Sequence, residues 1–95
     1  MPKGYSIVRI DITDPEAYAR YAKVATEAIA KHGGRVLARG GRFEAVEGVA
    51  RARNVVIEFE SFEAARAFYF SPEYEQARAM RKGAATVEYV LVEGA

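Results

Sequence analysis

The stretch from Asn54 to Arg81, NVVIEFESFEAARAFYFSPEYEQARAMR, contains a strand, a switch into helix, a break and a second helix start. Val55, Ile57 and Phe59 alternate with Asn54, Val56, Glu58 and Glu60, the period of two that gives a strand unlike faces. At Ser61 the pattern changes. Ser61 can cap a helix whose first turn carries Glu63, and Phe62, Ala65, Phe68 and Tyr69 recur at the three-to-four spacing of one buried face. Ser71-Pro72-Glu73-Tyr74 then restarts the process, with Ser71 as N-cap, Pro72 where its missing N–H is not needed, and Glu73 beside the positive helix end. This punctuation specifies a fold far better than it specifies a reaction.

Working outward, residues 5–12 set Ser6, Val8, Ile10 and Ile12 against Tyr5, Ile7, Arg9 and Asp11, which predicts a first strand with one nearly apolar face. Asp14 and Pro15 open a helix with a buried stripe of Tyr18, Tyr21, Ala25 and Ala28, flanked by Ala22 and Ile29. Gly33-Gly34 closes it. Residues 35–42 predict a second strand, bent or bulged at Gly40-Gly41, with 43–46 continuing it and Gly48 in the turn back to the third strand. Two helical pieces, 62–70 and 72–82, end at Gly83, and 86–93 form the last strand. The order β-α-β-β-α-β is the ferredoxin-like plan, an α+β fold in which helices cover one face of a four-stranded antiparallel sheet. Residues 1–95 read as a single domain.

Such a chain buries only roughly 60–65% of the surface it exposes when unfolded. Its thin core would gain from a partner. On the uncovered sheet face Arg9, Arg39, Glu58 and Glu88 mix with apolar residues, a surface better suited to a second copy than to bare water, so a two-fold homodimer is expected with those four at its interface. Fourteen basic residues oppose 13 acidic ones; Glu44 and Glu47 interrupt the only arginine cluster, so a nucleic-acid footprint is not expected. With no cysteine and one histidine, a zinc or redox-metal site is not expected, and no cofactor is called for. Haem ligation, which needs one histidine, stays open. No apolar run approaches the roughly 18 residues of a bilayer span, so no membrane partner is expected and a cytoplasmic, unprocessed protein is the reading.

Two sets of residues could carry chemistry. His32 has an unperturbed pKa near neutrality and could be a general base at a pocket rim, but it also continues the buried stripe at a helix C-terminus, where capping or packing suffices to explain it. Tyr18, Tyr21, Tyr69 and Tyr74 come from helices on the same sheet face and could line one cavity, binding a small aromatic or acidic ligand through phenol groups. Ordinary core packing of each tyrosine is the competing explanation. Arg39-Gly40-Gly41-Arg42 could present a guanidinium fork to a carboxylate or phosphate, although it lacks the Gly-Lys-Ser/Thr ending of a phosphate loop.

Taken together, Asp14-Pro15 with Tyr18 and Tyr21, Gly33-Gly34-Arg35, Arg39-Gly40-Gly41, Glu47-Gly48, Glu58-Phe59, Ala65, Tyr69, Ser71-Pro72-Glu73-Tyr74, Arg81 and Val92-Glu93-Gly94 resemble the domain of unknown function 1330 family of the dimeric α+β barrel superfamily. The resemblance spans essentially the whole chain. Members often carry tryptophans near the second hairpin turn and before the Ser-Pro-Glu-Tyr element; this chain has none, so a role resting on an indole N–H does not carry over. The superfamily includes cofactor-independent oxygenases, lactone isomerases, haem-degrading enzymes and stress-response proteins, with ligands commonly held between sheet and helices. The resemblance thus implies a small dimeric barrel protein binding a small organic ligand there. A cofactor-independent monooxygenase or isomerase, with His32 or a tyrosine as base, is the first alternative, and a structural or regulatory dimer the second.

Overall fold

The computed structural model describes residues 2–95. Strand β1 (Gly4–Ile12) is followed by helix α1 (Pro15–Lys31), strands β2 (Arg35–Arg39) and β3 (Arg53–Phe59), helices α2 (Phe62–Tyr69) and α3 (Pro72–Arg81), and strand β4 (Ala85–Glu93). The four strands form one sheet in the order β2-β3-β1-β4 with every pairing antiparallel. This is the ferredoxin-like βαββαβ arrangement, its second helix broken into α2 and α3.

The helix starts follow their caps. Asp14 accepts from the Ala17 N–H, Ser61 from Ala64 and Ser71 from Tyr74, so each side chain satisfies a donor that the first helical turn leaves free. Residue 33 leaves α1 at φ +73°, a left-handed conformation that glycine adopts without penalty.

One face of the sheet is covered. Ser6, Val8 and Ile10 from β1 and Val55, Ile57 and Phe59 from β3 point to it and are buried, as are Tyr18, Tyr21, Ala25 and Ala28 of α1, Ala65 and Phe68 of α2, and Tyr74 and Ala77 of α3. Helix α2 lies close on the sheet. Phe68 stacks on Phe59 with ring centroids 5.2 Å apart, and Gly4 passes so near the Ser61 carbonyl that a Cβ would collide with it.

The region after β2 departs from the expected strand. β2 ends at Arg39, and residues 43–46 are not a strand; Val46 and Val49 are 80% and 91% exposed. Gly40 turns the chain aside at φ +66°, and β3 begins only at Arg53, so among the described residues no strand takes up the backbone hydrogen bonds of 43–46. A bulge between Val36 and Ala38 shifts the register as well, placing Arg39 opposite Val55 on the helix side. The expectation that Arg39 shares the open face with Arg9, Glu58 and Glu88 is therefore corrected: one extra residue in β2 moves it to the other side.

On that open face Arg9 and Glu88 are register partners 3.7 Å apart, as the alternation predicts. Arg51 completes the group, reaching Asp11 at 2.7 Å and Glu88 at 3.1 Å, while Arg9 also donates to the Val49 carbonyl at 2.8 Å. Glu58 accepts from the Tyr5 hydroxyl at 3.1 Å. Among the described residues no helix is long and apolar enough to cross a membrane.

Candidate functional site

Between α1 and the β2–β3 half of the sheet the packing leaves a partly open cleft of about 50 Å³. Its walls follow from the two periodicities. The helix stripe supplies Tyr18, Tyr21 and Ala25, and the inward side of the strands supplies Val8, Val55 and Ile57.

Four phenols converge on it. Tyr18 and Tyr21 sit one turn apart on α1, ring centroids 5.1 Å apart. Tyr74 arrives from the opposite side because Ser71 fixes the start of α3: the Ser71 hydroxyl donates to the Phe68 carbonyl at 2.7 Å and accepts from the Tyr74 N–H at 3.2 Å. The Tyr21 and Tyr74 hydroxyls meet at 2.6 Å. Phe68 packs against the Tyr74 ring at 4.5 Å and forms the floor. Tyr89 reaches the same cleft from β4 and donates to Ser6 Oγ at 2.7 Å, which explains a fully buried serine in an otherwise apolar strand face.

Burial raises the phenol of Tyr21 well above its usual value, with neighbouring Tyr74 adding to the effect and Arg81 opposing it. Tyr18 and Tyr89 are raised too, again chiefly by burial. These groups are neutral at physiological pH. They can donate and accept hydrogen bonds, but a raised pKa disfavours the phenolate that a tyrosine base requires.

Arginines stand around the phenols. The Arg81 guanidinium lies 5.2 Å over the Tyr21 ring and the Arg53 guanidinium 5.6 Å over Tyr18. Arg39 and Arg53 both line the cleft.

The other sequence candidates are placed elsewhere. Tyr69 touches Tyr74 and Tyr89 with its ring but does not line the cleft; Arg78 stacks on it at 4.4 Å, and it borders a separate surface groove with Phe62, Phe70 and Leu91. His32 does not line the cleft either. Its Nε2 lies 3.2 Å from Glu73 Oε1 and its ring sits edge-on to Phe68 at 5.9 Å, so it ties the end of α1 to the start of α3. Lys31 joins them at 3.0 Å from Glu73, and the two hydrogen bonds, from Lys31 first and His32 second, hold the Glu73 carboxyl down at about 2. Arg53 and Tyr89 are cleft residues that helix spacing could not supply. The available signal was strand alternation: Arg53 is in phase with Val55 and Ile57, and Tyr89 with Val87 and Leu91. Among the described residues no group of three or more His, Cys, Asp or Glu side chains is arranged to hold a metal ion.

The architecture has known counterparts. A protein of unknown function from Rhodopseudomonas palustris superposes with a TM-score of 0.78 at 17% identity, over 99% of this chain and 83% of its own. A cofactor-independent oxygenase from Streptomyces nogalater gives 0.68 at 14% identity, over 97% and 92%. A dimeric ferredoxin-like protein of unknown function from Thermobifida fusca gives 0.64 at 13% identity, over 97% and 91%. At these identities the likeness is one of fold. No curated protein matches the sequence. The family model for the domain of unknown function DUF1330 matches residues 3–95, and the chain belongs to that family.

Proposed function

We propose that this protein is a homodimeric barrel subunit that binds a small organic ligand in the cleft between α1 and the β2–β3 half of the sheet. The observation that carries the reading is the convergence of neutral phenols and two arginines on an otherwise apolar recess, the arrangement of a specific small-molecule site. Binding and orientation, rather than proton abstraction, fit these groups. Burial holds the Tyr18, Tyr21 and Tyr89 phenols in their protonated form, and His32, the side chain best suited to a base, is engaged with Glu73 outside the cleft. The oxygenase among the structural counterparts favours a catalytic reading. In that reading this chain would hold a substrate that ionises without a protein base.

The dimer is supported by the open sheet face, where Val56, Ile7 and Val90 form one apolar row across β3, β1 and β4, and by structural counterparts described as dimeric. On one side of that row Arg9, Arg51, Asp11 and Glu88 are already paired within the chain, so a second copy could cover those four without stranding a lone ion. Light scattering on Ile7→Glu tests it. A carboxylate at the centre of the row should convert the dimer to a folded monomer, and an unchanged mass would place the contact elsewhere. For the cleft, amide shifts in a titration with small organic probes should concentrate at Ala25, Val55 and Tyr74; shifts confined to the outer groove by Phe70 would reject the reading.

A further inference from the structure

The mouth of the cleft carries positive charge without a counterion. Arg39 lies opposite Val55, and Arg53 enters the same strand two residues earlier, so the two are diagonal neighbours on adjacent strands with their side chains on the helix side. Diagonal positions of this kind stand about 7–8 Å apart, close enough for two long side chains to converge on one group. The arginines of the open face are used differently, since Arg9 and Arg51 are bound to Glu88 and Asp11. Among the described residues neither Arg39 nor Arg53 has a carboxylate in salt-bridge reach.

Arg53 is also held in place. The Gly40 N–H donates to the Asn54 carbonyl at 3.0 Å, which brings the glycine beside the Arg53 side chain. A Cβ at Gly40 would stand 2.5 Å from Arg53 Nη1, so this left-handed glycine leaves the space in which the guanidinium lies. That guanidinium also lies 5.6 Å over the Tyr18 ring, and its Nε is buried without a hydrogen-bond partner among the described residues. A planar donor fork packed against Tyr18 and Gly40, beside phenols that can also donate, is built for an oxyanion. The interior behind it is apolar, with Val8, Val55, Ile57 and Phe68. A volume of about 50 Å³ corresponds to about four water-sized positions, room for a compact carbon skeleton.

We propose that the ligand is a compact monocarboxylate, its carboxylate on Arg53 and Arg39 and its branched or cyclic apolar body between Ala25 and Val55. This rests on the reading of the cleft as a ligand site and adds the charge and size of what enters it. Phosphate fits less well, because a recess walled by aliphatic side chains returns nothing to a small ion that has no apolar part.

Titration calorimetry with isovalerate and with isovaleramide, equal in shape but differing in charge, separates the two claims. Isovalerate should bind at least about tenfold more tightly than the amide, as expected for a charge-assisted pair. That gap should close in Arg53→Gln and narrow in Arg39→Gln, whose exposed site guards against a folding artefact. Equal binding of acid and amide, with amide-proton shifts in the cleft, would overturn the carboxylate proposal and leave the ligand site standing. Failure of both compounds to shift any cleft resonance would remove the two together. Inorganic phosphate competing as well as isovalerate, or a gap that survives in both variants, would likewise overturn the proposal.

Discussion

The covered face of the sheet is packed in two different ways. Under α2 it is sealed: Ala65 and Phe59 are at most 1% exposed, and the buried Phe68 ring stacks on Phe59 while also flooring the cleft. Under α1 the helix stands off, and the space is lined by Tyr18, Tyr21 and Tyr74 with arginines at the mouth. Small residues explain the first. Ala65 and Gly4 let α2 and its cap approach the strands closely, whereas the bulky phenols of α1 hold that helix away and leave a recess with hydroxyls in it. One half of the molecule is close-packed, and the other gives up some packing to leave a recess lined by hydroxyls.

The largest expected effect lies in the sealed half. Phe68→Ala removes the ring stacked on Phe59 and packed against Tyr74 and should cost about 3–5 kcal/mol in urea unfolding. A loss below about 1 kcal/mol, the scale of a surface change, would mean this half is not close-packed. Next comes a paired comparison. Ala65→Leu should overpack and destabilise by about 1–3 kcal/mol, whereas Ala25→Leu, which points the same extra methylenes into the cleft, should be near neutral and should block ligand binding. Equal losses at the two sites would erase the distinction between the halves.

Smaller again is the hydroxyl pair. Tyr74→Phe leaves the buried Tyr21 hydroxyl without its 2.6 Å partner and should cost about 1–2 kcal/mol. Adding Tyr21→Phe should recover part of that loss, because no polar group is then left unpaired. The smallest effect is electrostatic. The Glu73 carboxyl is held down at about 2 by Lys31 and His32, so its contribution is present above the ordinary carboxylate pKa and is lost as pH falls from about 4.5 towards 2. The Tm of the native protein should therefore drop more steeply over that window than the Tm of Glu73→Gln, and parallel curves would show that the cluster at the α1–α3 junction carries no stability.

Much of this was legible in the residues because it is local. Asp14, Ser61 and Ser71 announce their helices within three residues, and Tyr18 and Tyr21 declare the inward face of α1 by spacing alone. Ser71 placed Tyr74 correctly for the same reason. What stayed hidden depends on contacts remote in sequence. Arg39 changes sides through one bulged residue, and Arg53 joins the cleft because β3 starts at Arg53 rather than Asn54, where it pairs with Ile10 of β1. His32 lies on the expected stripe, yet Glu73, 41 residues away, decides what it does. Tyr89 and Ser6 find each other across 83 residues, a pairing fixed by strand order.

The most direct test of the account is where a bound small molecule sits in solution. In a complex saturated with isovalerate, nuclear Overhauser contacts from the ligand methyls should reach the methyl groups of Val8, Ala25 and Val55 and the ring of Tyr21. Contacts to Phe70 and Leu91 instead, or none to any methyl of the covered face, would contradict the claim that the stand-off of α1 is the site.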